Sequence, residues 1–429
     1  MTMMAVEKPE ENTYLNCIRC GLCLAVCPTY REYLKETVSP RGRVALARQG
    51  LDGTLELTPN LVEQMYNCFA CMACNEICPV GIRPAELVMG MRHVSEQVTP
   101  AKWKGALFGG LIPHMGRMEW ATLPLRLYER LGLRWLVYKL GLRRLLPAQL
   151  RDLEGMLPRL PLRPLRQILP TVTPARGERR YRVGFFLGCA QNVLFADESR
   201  STVRVLSRNG CEVTTPPEVK CCGMPARGYG RVDLVREQAR HNIAVFERYP
   251  VDVIVTDCAT CGSTLKEYGE LLAGEPEWAE RAAAFSRKVR DVSEFLAEIP
   301  LAKPQGKLNA RVTYHDPCHL RRGQQVWKQP RNLLKMIDGL EVVELPEANW
   351  CCGSAGSQLI THPATSRKVM DRKMNNLAST GAQIIASGCP GCQMQLQTGV
   401  RRHGLKVRVV HPVTLLDEAY EAANGKDKH

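Results

Sequence analysis

The 429-residue chain lacks the features of a membrane-spanning or exported protein. No uncharged apolar run reaches the roughly 20 residues that a membrane helix needs, and no signal-peptide pattern follows Met1. Mean hydropathy is −0.20, although a hydrophobic content of 45% is enough for several cores. These absences predict a globular, cytoplasmic protein, with peripheral contact at the inner face of the cytoplasmic membrane as the only membrane association to consider.

Nucleotide-binding motifs are also absent. No G-x-G-x-x-G follows a predicted strand and no P-loop appears, so the sequence contains no recognisable flavin, nicotinamide or nucleotide site. The net charge is +15, but no nucleic-acid recognition motif accompanies it, and we expect no nucleic-acid partner. If the chain takes part in oxidising an organic substrate, a partner must therefore hold the two-electron cofactor.

Cysteine is unusually abundant. The chain has 19 cysteines, and in a reduced intracellular protein such a number indicates metal ligation and not disulfides. They lie in two groups, from Cys17 to Cys78 and from Cys189 to Cys392. The stretch between the groups is rich in Leu, Arg and Pro, and its prolines predict short amphipathic helices joined by turns.

The spacing C-x-x-C-x-x-C-x-x-x-C-P occurs twice near the N-terminus. It is the bacterial ferredoxin spacing, in which each run gives three thiolates to one 4Fe-4S cluster and lends its fourth to the other. We therefore assign to cluster 1 the residues Cys17, Cys20, Cys23 and Cys78, and to cluster 2 the residues Cys68, Cys71, Cys74 and Cys27. A pair of structural zinc sites is the alternative, because four thiolates also suit zinc.

The C-terminal half of the chain repeats a five-cysteine pattern at offsets of 129 to 131 residues. The first set is Cys189, Cys221, Cys222, Cys258 and Cys261, and the second is Cys318, Cys351, Cys352, Cys389 and Cys392. Five thiolates exceed the four that a cubane needs, which predicts an unusual cluster in each repeat. Buried structural cysteine or one zinc ion per repeat is the alternative. Cys211 has no counterpart in the second repeat, and we expect it to pack in a core.

Strands and helices alternate within each repeat. The predicted strands are 181–187, 211–215, 251–256, 311–315, 341–345 and 383–386, and the predicted helices are 199–208, 232–248, 332–337 and 363–377. Such alternation favours right-handed crossovers and mostly parallel sheets. Because the cysteines follow the strands, each set is expected to converge at one edge of its sheet.

The predicted fold class is therefore a multidomain α+β or α/β protein. Its parts are a helical two-cluster ferredoxin-like module (1–100), a basic helical linker (101–180) and two tandem α/β repeats (181–304 and 305–429). Ser39 and Pro40 predict a helix start. Beyond it, Arg41 or Arg43 either neutralises cluster charge or lies on a solvated helix face.

Two histidines bracket the first cysteine of the second repeat. His315 and His319 flank Cys318, and they either donate hydrogen bonds to cluster sulfur or are ordinary loop residues.

The order of two ferredoxin runs, a linker and two CCG repeats resembles the iron-sulfur subunit of glycolate oxidase, a glycolate dehydrogenase. The stretches that carry the resemblance are Cys27-Pro-Thr-Tyr30, Ser39-Pro-Arg-Gly-Arg43, Lys266-Glu-Tyr-Gly269, Arg290-Asp-Val-Ser-Glu-Phe295, His315-Asp-Pro-Cys-His319, Cys351-Cys-Gly-Ser-Ala-Gly356 and His411-Pro412. The resemblance implies FAD-containing partner subunits that oxidise glycolate or D-lactate, and a quinone as electron acceptor.

The repeats also resemble those of the heterodisulfide reductase B subunit, in which each five-cysteine set holds a non-cubane cluster. That likeness implies one or two further, non-cubane 4Fe-4S clusters in the repeats. It also implies an alternative function, a catalytic subunit that cleaves a disulfide. The iron-sulfur subunit of anaerobic glycerol-3-phosphate dehydrogenase and the lactate-utilisation iron-sulfur proteins share the same order of parts. The motifs therefore define the class of protein more closely than its substrate.

The linker is strongly basic. Residues 101–170 contain 13 Lys and Arg against 4 Asp and Glu, with tryptophans and tyrosines among them. This composition suits contact with an anionic membrane surface, where a quinone would be reached, or docking of an acidic flavoprotein. The third alternative is a scaffold that braces the flanking modules.

Overall fold

The computed structural model describes residues 9, 11, 14–142, 160–356 and 358–424. Its first part is entirely helical. The α-helices there are Leu22–Val26, Pro28–Tyr33, Pro40–Leu51, Pro59–Tyr66, Ala73–Ile77 and Pro84–Val98, with a 3-10 turn at Glu36–Val38. The hydrophobic cluster between these helices includes Val44, Ala47, Met65, Leu87 and Met91.

Side-chain caps and prolines set the starts of two of these helices. The Oγ of Ser39 accepts a hydrogen bond from the Gly42 N–H at 2.9 Å, and Pro40 occupies the first helical position. Thr58 caps the next helix by accepting from the Leu61 N–H. The helix start expected at Ser39 is therefore confirmed.

Short helices follow, as the prolines predicted. They are Lys102–Lys104, a π-helical turn at Gly105–Leu111, Met115–Ala121, Leu123–Arg130 and Leu133–Lys139. Residues 143–159 of the predicted linker lie outside the described part of the chain. Two ion pairs hold these helices in place. Lys104 pairs with Glu96 of the helical module. Glu119 pairs at 2.8 Å with Arg166, which also belongs to the predicted linker. No helix in the described residues has both the length and the apolar character to cross a membrane.

The first repeat contains a five-stranded sheet. Its strands are β1 (Val172–Thr173), β2 (Tyr181–Phe185), β3 (Cys211–Thr214), β4 (Val253–Thr256) and β5 (Val289–Asp291), in the order β1-β3-β2-β4-β5. Only the β1–β3 pair is antiparallel. The accompanying helices are Cys189–Val193, Ala196–Arg208, Met224–Gly228, Val232–Phe246, Ala259–Lys266, Tyr268–Leu271, Pro276–Lys288 and Val292–Glu298.

The second repeat contains a four-stranded, fully parallel sheet. Its strands are β6 (Ala310–Tyr314), β7 (Leu340–Val343), β8 (Ile384–Ala386) and β9 (Arg408–Val410), in the order β7-β6-β8-β9. The helices are Cys318–Arg321, Lys328–Lys335, Gln358–Thr361, Pro363–Ser379, Pro390–Arg402 and Pro412–Asn424. The mostly parallel α/β architecture predicted for both repeats is confirmed.

Each predicted strand and helix of the repeats is present, with ends shifted by a few residues. The sequence pattern missed β1, β5 and β9. These strands have two or three residues, which is too short for an alternation of apolar and polar residues to be recognised.

The two repeats share one hydrophobic cluster. Val183 and Phe185 of β2 belong to the same cluster as Val312 and Tyr314 of β6. The C-terminal helix Pro412–Asn424 also crosses back to pack on Ala196–Arg208 of the first repeat. This shared packing fixes the two sheets, and hence their cysteine-bearing edges, against each other.

Candidate metal centres

The two ferredoxin runs fold into loops with the same backbone turns. Left-handed φ angles occur at Arg19 (55°) and Gly21 (85°) in the first loop, and at Ala70 (47°) and Met72 (59°) in the second. Three of these four residues are not glycine, and non-glycine residues held in this conformation are characteristic of functional loops. A short helix follows each loop, and the two helices, Leu22–Val26 and Ala73–Ile77, pack against each other.

The four cysteines assigned to cluster 2 line one cavity. They are Cys27, Cys68, Cys71 and Cys74, and most of the remaining wall is apolar. Burial raises the pKa of the Cys27 and Cys74 thiols above their ordinary value. Because a buried thiolate is stable only with a compensating partner, this donor set fits a thiolate-bound metal group.

Arg43 lies in the wall of the same cavity. Its side chain is 1% exposed and donates to the Thr29 Oγ1 at 3.1 Å and to the Gln64 carbonyl at 2.9 Å. One terminal nitrogen has no hydrogen-bond partner. The solvated-face interpretation is therefore wrong for Arg43, because this face of its helix packs on the cysteine cavity.

Arg41, on the other face of that helix, has a different position. It pairs with Glu36 at 2.6 Å and donates to the Arg19 carbonyl at 3.1 Å. Its side chain is one-third exposed. It therefore holds the first cysteine loop in place from the surface.

The cysteines assigned to cluster 1 are nearer to the surface. Cys20 is exposed, and Cys17 and Cys23 are half-buried. Burial raises the pKa of Cys23 to about 11, and the electrostatic influence of Cys17 and Cys20 on this thiol places the three close together. Cys78 packs with Cys17 on the same hydrophobic cluster.

The five thiols of the first repeat meet at the carboxyl ends of β2, β3 and β4. The Sγ atoms of Cys189 and Cys221 are 3.7 Å apart, and Cys222 contacts both Cys221 and Cys261. The Cys261 N–H donates to the Cys258 Sγ at 3.4 Å. The predicted convergence of this set is therefore found.

The second repeat gathers its thiols in the same way. The Sγ atoms of Cys352 and Cys392 are 3.4 Å apart. Cys351 contacts Cys352, and Cys389 contacts Cys392. Burial raises the pKa of the Cys318 thiol, and Cys318 lies close enough to Cys352 and Cys389 for their negative charge to raise that pKa as well.

A glycine makes the tight turn after each cysteine pair possible. Gly223 has φ +100° and Gly353 has φ +87°, which L side chains rarely adopt. A Cβ at these positions would lie 2.7 Å from Val235 Cγ1 and from the Ser366 carbonyl, respectively. Both the conformation and the space therefore require glycine at the third position of the CCG motif.

Three cysteine sites touch one another. A hydrogen bond with Cys351 lowers the pKa of Cys71 to about 6, which joins the cluster 2 cavity to the second repeat. Cys389 of the second repeat contacts Cys258 of the first. The Ala259 N–H also donates to the Gly388 carbonyl at 2.9 Å across this junction. The three cysteine sites therefore lie in a row, in which the site of the second repeat contacts the cluster 2 cavity on one side and the site of the first repeat on the other.

Two arginines outside the predicted motifs brace the helical module against the repeats. Arg322 donates to the Asn349 carbonyl at 3.1 Å and pairs with Glu76 at 2.8 Å, so it joins the second repeat to the helical module. Arg92 donates to the Cys68 carbonyl at 2.7 Å and to the Gly228 carbonyl at 3.0 Å. A signal existed for Arg92, because it shares the apolar face of its helix with the buried Val88.

Both histidines that flank Cys318 face the site. The Nδ1 of His319 lies 3.4 Å from the Cys318 Sγ. One nitrogen of His315 lies within 4.8 Å of the sulfurs of Cys352 and Cys392. Cys211, in contrast, is buried in the apolar core at the start of β3, and burial raises its pKa to about 12.

Comparison with known families places each part of the chain. Residues 13–82 match the family described as the 4Fe-4S dicluster domain. Residues 183–266 and 312–397 each match the cysteine-rich CCG domain. Residues 100–157 match the linker region of the glycolate oxidase iron-sulfur subunit.

Two of the similar curated proteins match nearly the whole chain, and a third matches about half of it. A probable glycolate oxidase iron-sulfur subunit of Bacillus subtilis (strain 168) is 39% identical over 96% of this chain and 95% of that protein. The glycolate oxidase iron-sulfur subunit of Escherichia coli (strain K12) is 30% identical over 94% of both chains. Lactate utilization protein A of Oceanobacillus iheyensis is 32% identical over 55% of this chain and 96% of that protein.

Proposed function

Because the chain belongs to the family of glycolate oxidase iron-sulfur subunits, we propose that it is the electron-transfer subunit of a flavin-dependent 2-hydroxy-acid dehydrogenase. FAD-containing partner subunits oxidise glycolate or D-lactate, and this chain passes the electrons to a quinone or another acceptor. The observation that carries the proposal is the direct contact of three cysteine sites, through Cys71 with Cys351 and through Cys258 with Cys389.

The cysteine sets are the proposed ligands. Cluster 1 uses Cys17, Cys20, Cys23 and Cys78, and cluster 2 uses Cys68, Cys71, Cys74 and Cys27. Each repeat holds a further cluster on its own five cysteines. We also propose the division of the chain into a ferredoxin-type module (1–100), a linker (101–180) and two repeats (181–304 and 305–429).

Bound iron-sulfur clusters supply one-electron carriers. The chain's own residues hold those carriers in order and keep water away. Cys71, Cys258 and their partners Cys351 and Cys389 are buried, and apolar side chains such as Phe69, Val369 and Leu320 surround them. Arg43 and Arg322 place positive charge beside the thiolates of the cluster 2 cavity. This arrangement stabilises a negatively charged group where the helical module meets the second repeat.

The test is reduction by substrate. The chain is purified anaerobically with its flavoprotein, and glycolate or D-lactate is expected to bleach its iron-sulfur absorbance. In a Cys71→Ser variant we expect much slower reduction of the repeat clusters, whereas Cys211→Ser, which changes a core cysteine, serves as the matched control. If no 2-hydroxy acid bleaches the wild-type complex, the proposal is refuted.

Metal analysis separates iron-sulfur chemistry from the zinc alternative. Two ferredoxin clusters alone require about 8 irons, and filled repeats raise the total to about 16. A preparation that contains zinc and almost no acid-labile sulfide would exclude electron transfer by this chain.

A catalytic role is the second candidate, favoured by one observation. Both five-cysteine sets are complete, and they meet at Cys258 and Cys389, so two carriers can act on one disulfide by successive single electrons. The chain with a chemical reductant alone should then release thiols from a heterodisulfide. Absence of thiol release under strictly anaerobic conditions would remove this candidate.

The linker helices leave an apolar, basic face exposed. Its exposed apolar side chains include Trp120, Leu127, Leu131, Trp135 and Leu140. The acidic residues of these helices form ion pairs within the linker, since Glu119 pairs with Arg166 and Glu129 pairs with Arg134. We therefore propose that this face contacts an anionic membrane surface, from which a quinone can accept electrons.

Vesicle binding tests the membrane contact. The purified chain should sediment with phosphatidylglycerol vesicles and much less with phosphatidylcholine vesicles. Trp135→Glu should weaken that binding, whereas Ile360→Glu, an exposed apolar position in the second repeat, should not. The proposal would be contradicted if the wild type and Trp135→Glu bound the vesicles equally. It would also be contradicted if Trp135→Glu lost binding to the flavoprotein and kept binding to the vesicles.

A further inference from the structure

The two repeats differ at the positions around their cysteines. When the first cysteines of the sets are aligned, His315 and Asp316 of the second repeat stand where the first has Phe186 and Leu187. Phe186 is completely buried and stacks on Phe246. The first site therefore has an apolar wall where the second has polar groups.

A third difference lies on the helix that backs each CCG turn. Gly223 faces Val235 and Gly353 faces Ser366, which sets the alignment of these two helices. With that alignment, Lys373 of the second repeat occupies the position of Asn242 in the first. A charged ammonium thus replaces a neutral amide behind the second cysteine pair.

His315 points into the second site without any other role. Its side chain is 1% exposed, neither ring nitrogen has a nitrogen or oxygen partner, and the imidazole interacts with the Cys352 thiol. One nitrogen lies within 4.8 Å of the sulfurs of Cys352 and Cys392. A buried imidazole without a partner is costly, and donation toward sulfur or toward a sulfur-bound group satisfies it.

Lys373 adds net positive charge at the same place. It is fully buried, its ammonium donates to the Glu347 carbonyl and, at 3.2 Å, to the Ala348 carbonyl, and it interacts electrostatically with Cys352, Cys351, Asp316 and Glu347. The carboxylate of Asp316 is already compensated, since Arg331 pairs with it at 2.7 Å. The electrostatic influence of Cys352 and Cys351 on the ammonium is larger than that of Asp316 and Glu347, so the ammonium acts mainly on the thiolates.

We propose that His315 and Lys373 give the second repeat a higher reduction potential than the first, so that an electron entering the repeats is held at the second site. A reduced cluster carries one more negative charge than an oxidised one. Hydrogen bonds to sulfur and a nearby cation therefore stabilise the reduced form. The inference rests on the proposal that both repeats hold clusters, and it does not depend on the flavoprotein or its substrate.

An anaerobic redox titration of the full chain, with dithionite as reductant and electron paramagnetic resonance as readout, tests this directly. His315→Phe copies the first repeat. We expect the equilibrium between the reduced and oxidised forms of one cluster, followed by its resonance signal, to shift at least tenfold toward the oxidised form. For one electron, a tenfold shift lowers the reduction potential by about 59 mV. Lys373→Asn should lower the potential of the same signal. His403→Phe, which alters a surface histidine paired with Asp371, should leave every reduction potential unchanged.

The conservative variant and the iron content complete the test. His315→Gln keeps an N–H donor and should recover at least half of the shift, while iron content stays at the wild-type level in every variant. The proposal is overturned if no potential moves, or if His315→Phe and Lys373→Asn move different signals. Loss of about four irons in His315→Phe would make His315 a ligand and would equally overturn it. A wild-type chain with about 8 irons would instead remove the premise of filled repeats.

Discussion

Arg322 is expected to hold the helical module against the second repeat, and Arg322→Met tests that role. Its side chain is 7% exposed and donates to Glu76 at 2.8 Å, to the Asn349 carbonyl at 3.1 Å and to the Cys71 carbonyl at 3.4 Å. Methionine keeps an apolar stem of similar length but removes all the donors. The substitution therefore isolates the polar contribution to the junction beside Cys71 and Cys351.

The size of the effect follows from the three contacts. The bond to the partly buried Asn349 carbonyl lies within the second repeat and, as a charge-assisted hydrogen bond, contributes about 1.5 to 3 kcal/mol. The contact with Cys71 is at the long limit of a hydrogen bond. The pair with the half-exposed Glu76 adds about 0 to 1 kcal/mol because water screens it. We expect a loss of about 1.5 to 4 kcal/mol.

The assay is urea unfolding of the full chain under anaerobic conditions. Arg83→Met is the matched control, since Arg83 pairs with Glu86 at 3.3 Å on the surface and is 61% exposed. The control should change the free energy of unfolding by no more than about 0.5 kcal/mol. If Arg322→Met costs less than about 1 kcal/mol, or no more than the control, the bracing role is refuted.

Three further predictions concern a helix cap, a glycine and a buried acid. Ser39→Ala should lower the free energy of urea unfolding by about 1 kcal/mol, because the Gly42 N–H loses its acceptor; an unchanged value would contradict the cap. Gly353→Ala should lose about four irons by metal analysis, because φ is +87° and a Cβ would meet a backbone carbonyl; full iron retention would contradict this. Burial raises the pKa of Asp291 from 3.8 to about 7, so the folded state binds its proton more tightly than the unfolded state. Its contribution to stability should therefore fall as pH rises from about 4 to 7. Asp291→Asn can still accept the hydrogen bond that caps the helix. The stability of this variant, measured as its unfolding free energy minus that of the wild type, should be higher at pH 8 than at pH 5. An equal difference in unfolding free energy at both pH values would contradict that assignment.

The repeats were predictable because their signals are local. Buried parallel strands such as β4 are short apolar runs that precede a cysteine and a helix, and the same order recurs about 130 residues later at β8. Spacing alone indicated which thiols meet within each set, since the carboxyl ends of neighbouring parallel strands share one edge. No cysteine follows the short strands β1, β5 and β9, so they had no such signal.

Individual polar residues were less predictable. Arg43 and Arg41 are two positions apart on one helix, yet one is buried against the cluster 2 cavity and the other is at the surface. Composition cannot distinguish them, because the burial of a helix face depends on what packs against it. His315 was ambiguous for the same reason, and only its position beside Cys352 and Cys392 resolved the ambiguity.

The amino-acid sequence by itself determined the cysteine sets, the duplicated α/β unit and the family, because thiol spacing and strand-helix alternation act over a few residues. The contacts between Cys71 and Cys351 and between Cys258 and Cys389 were decided by the tertiary structure alone. They join segments far apart in the chain, and the shared core, the returning C-terminal helix and Arg322 bring those segments together. No local pattern encodes such an approach, since it depends on how whole sheets and helices pack.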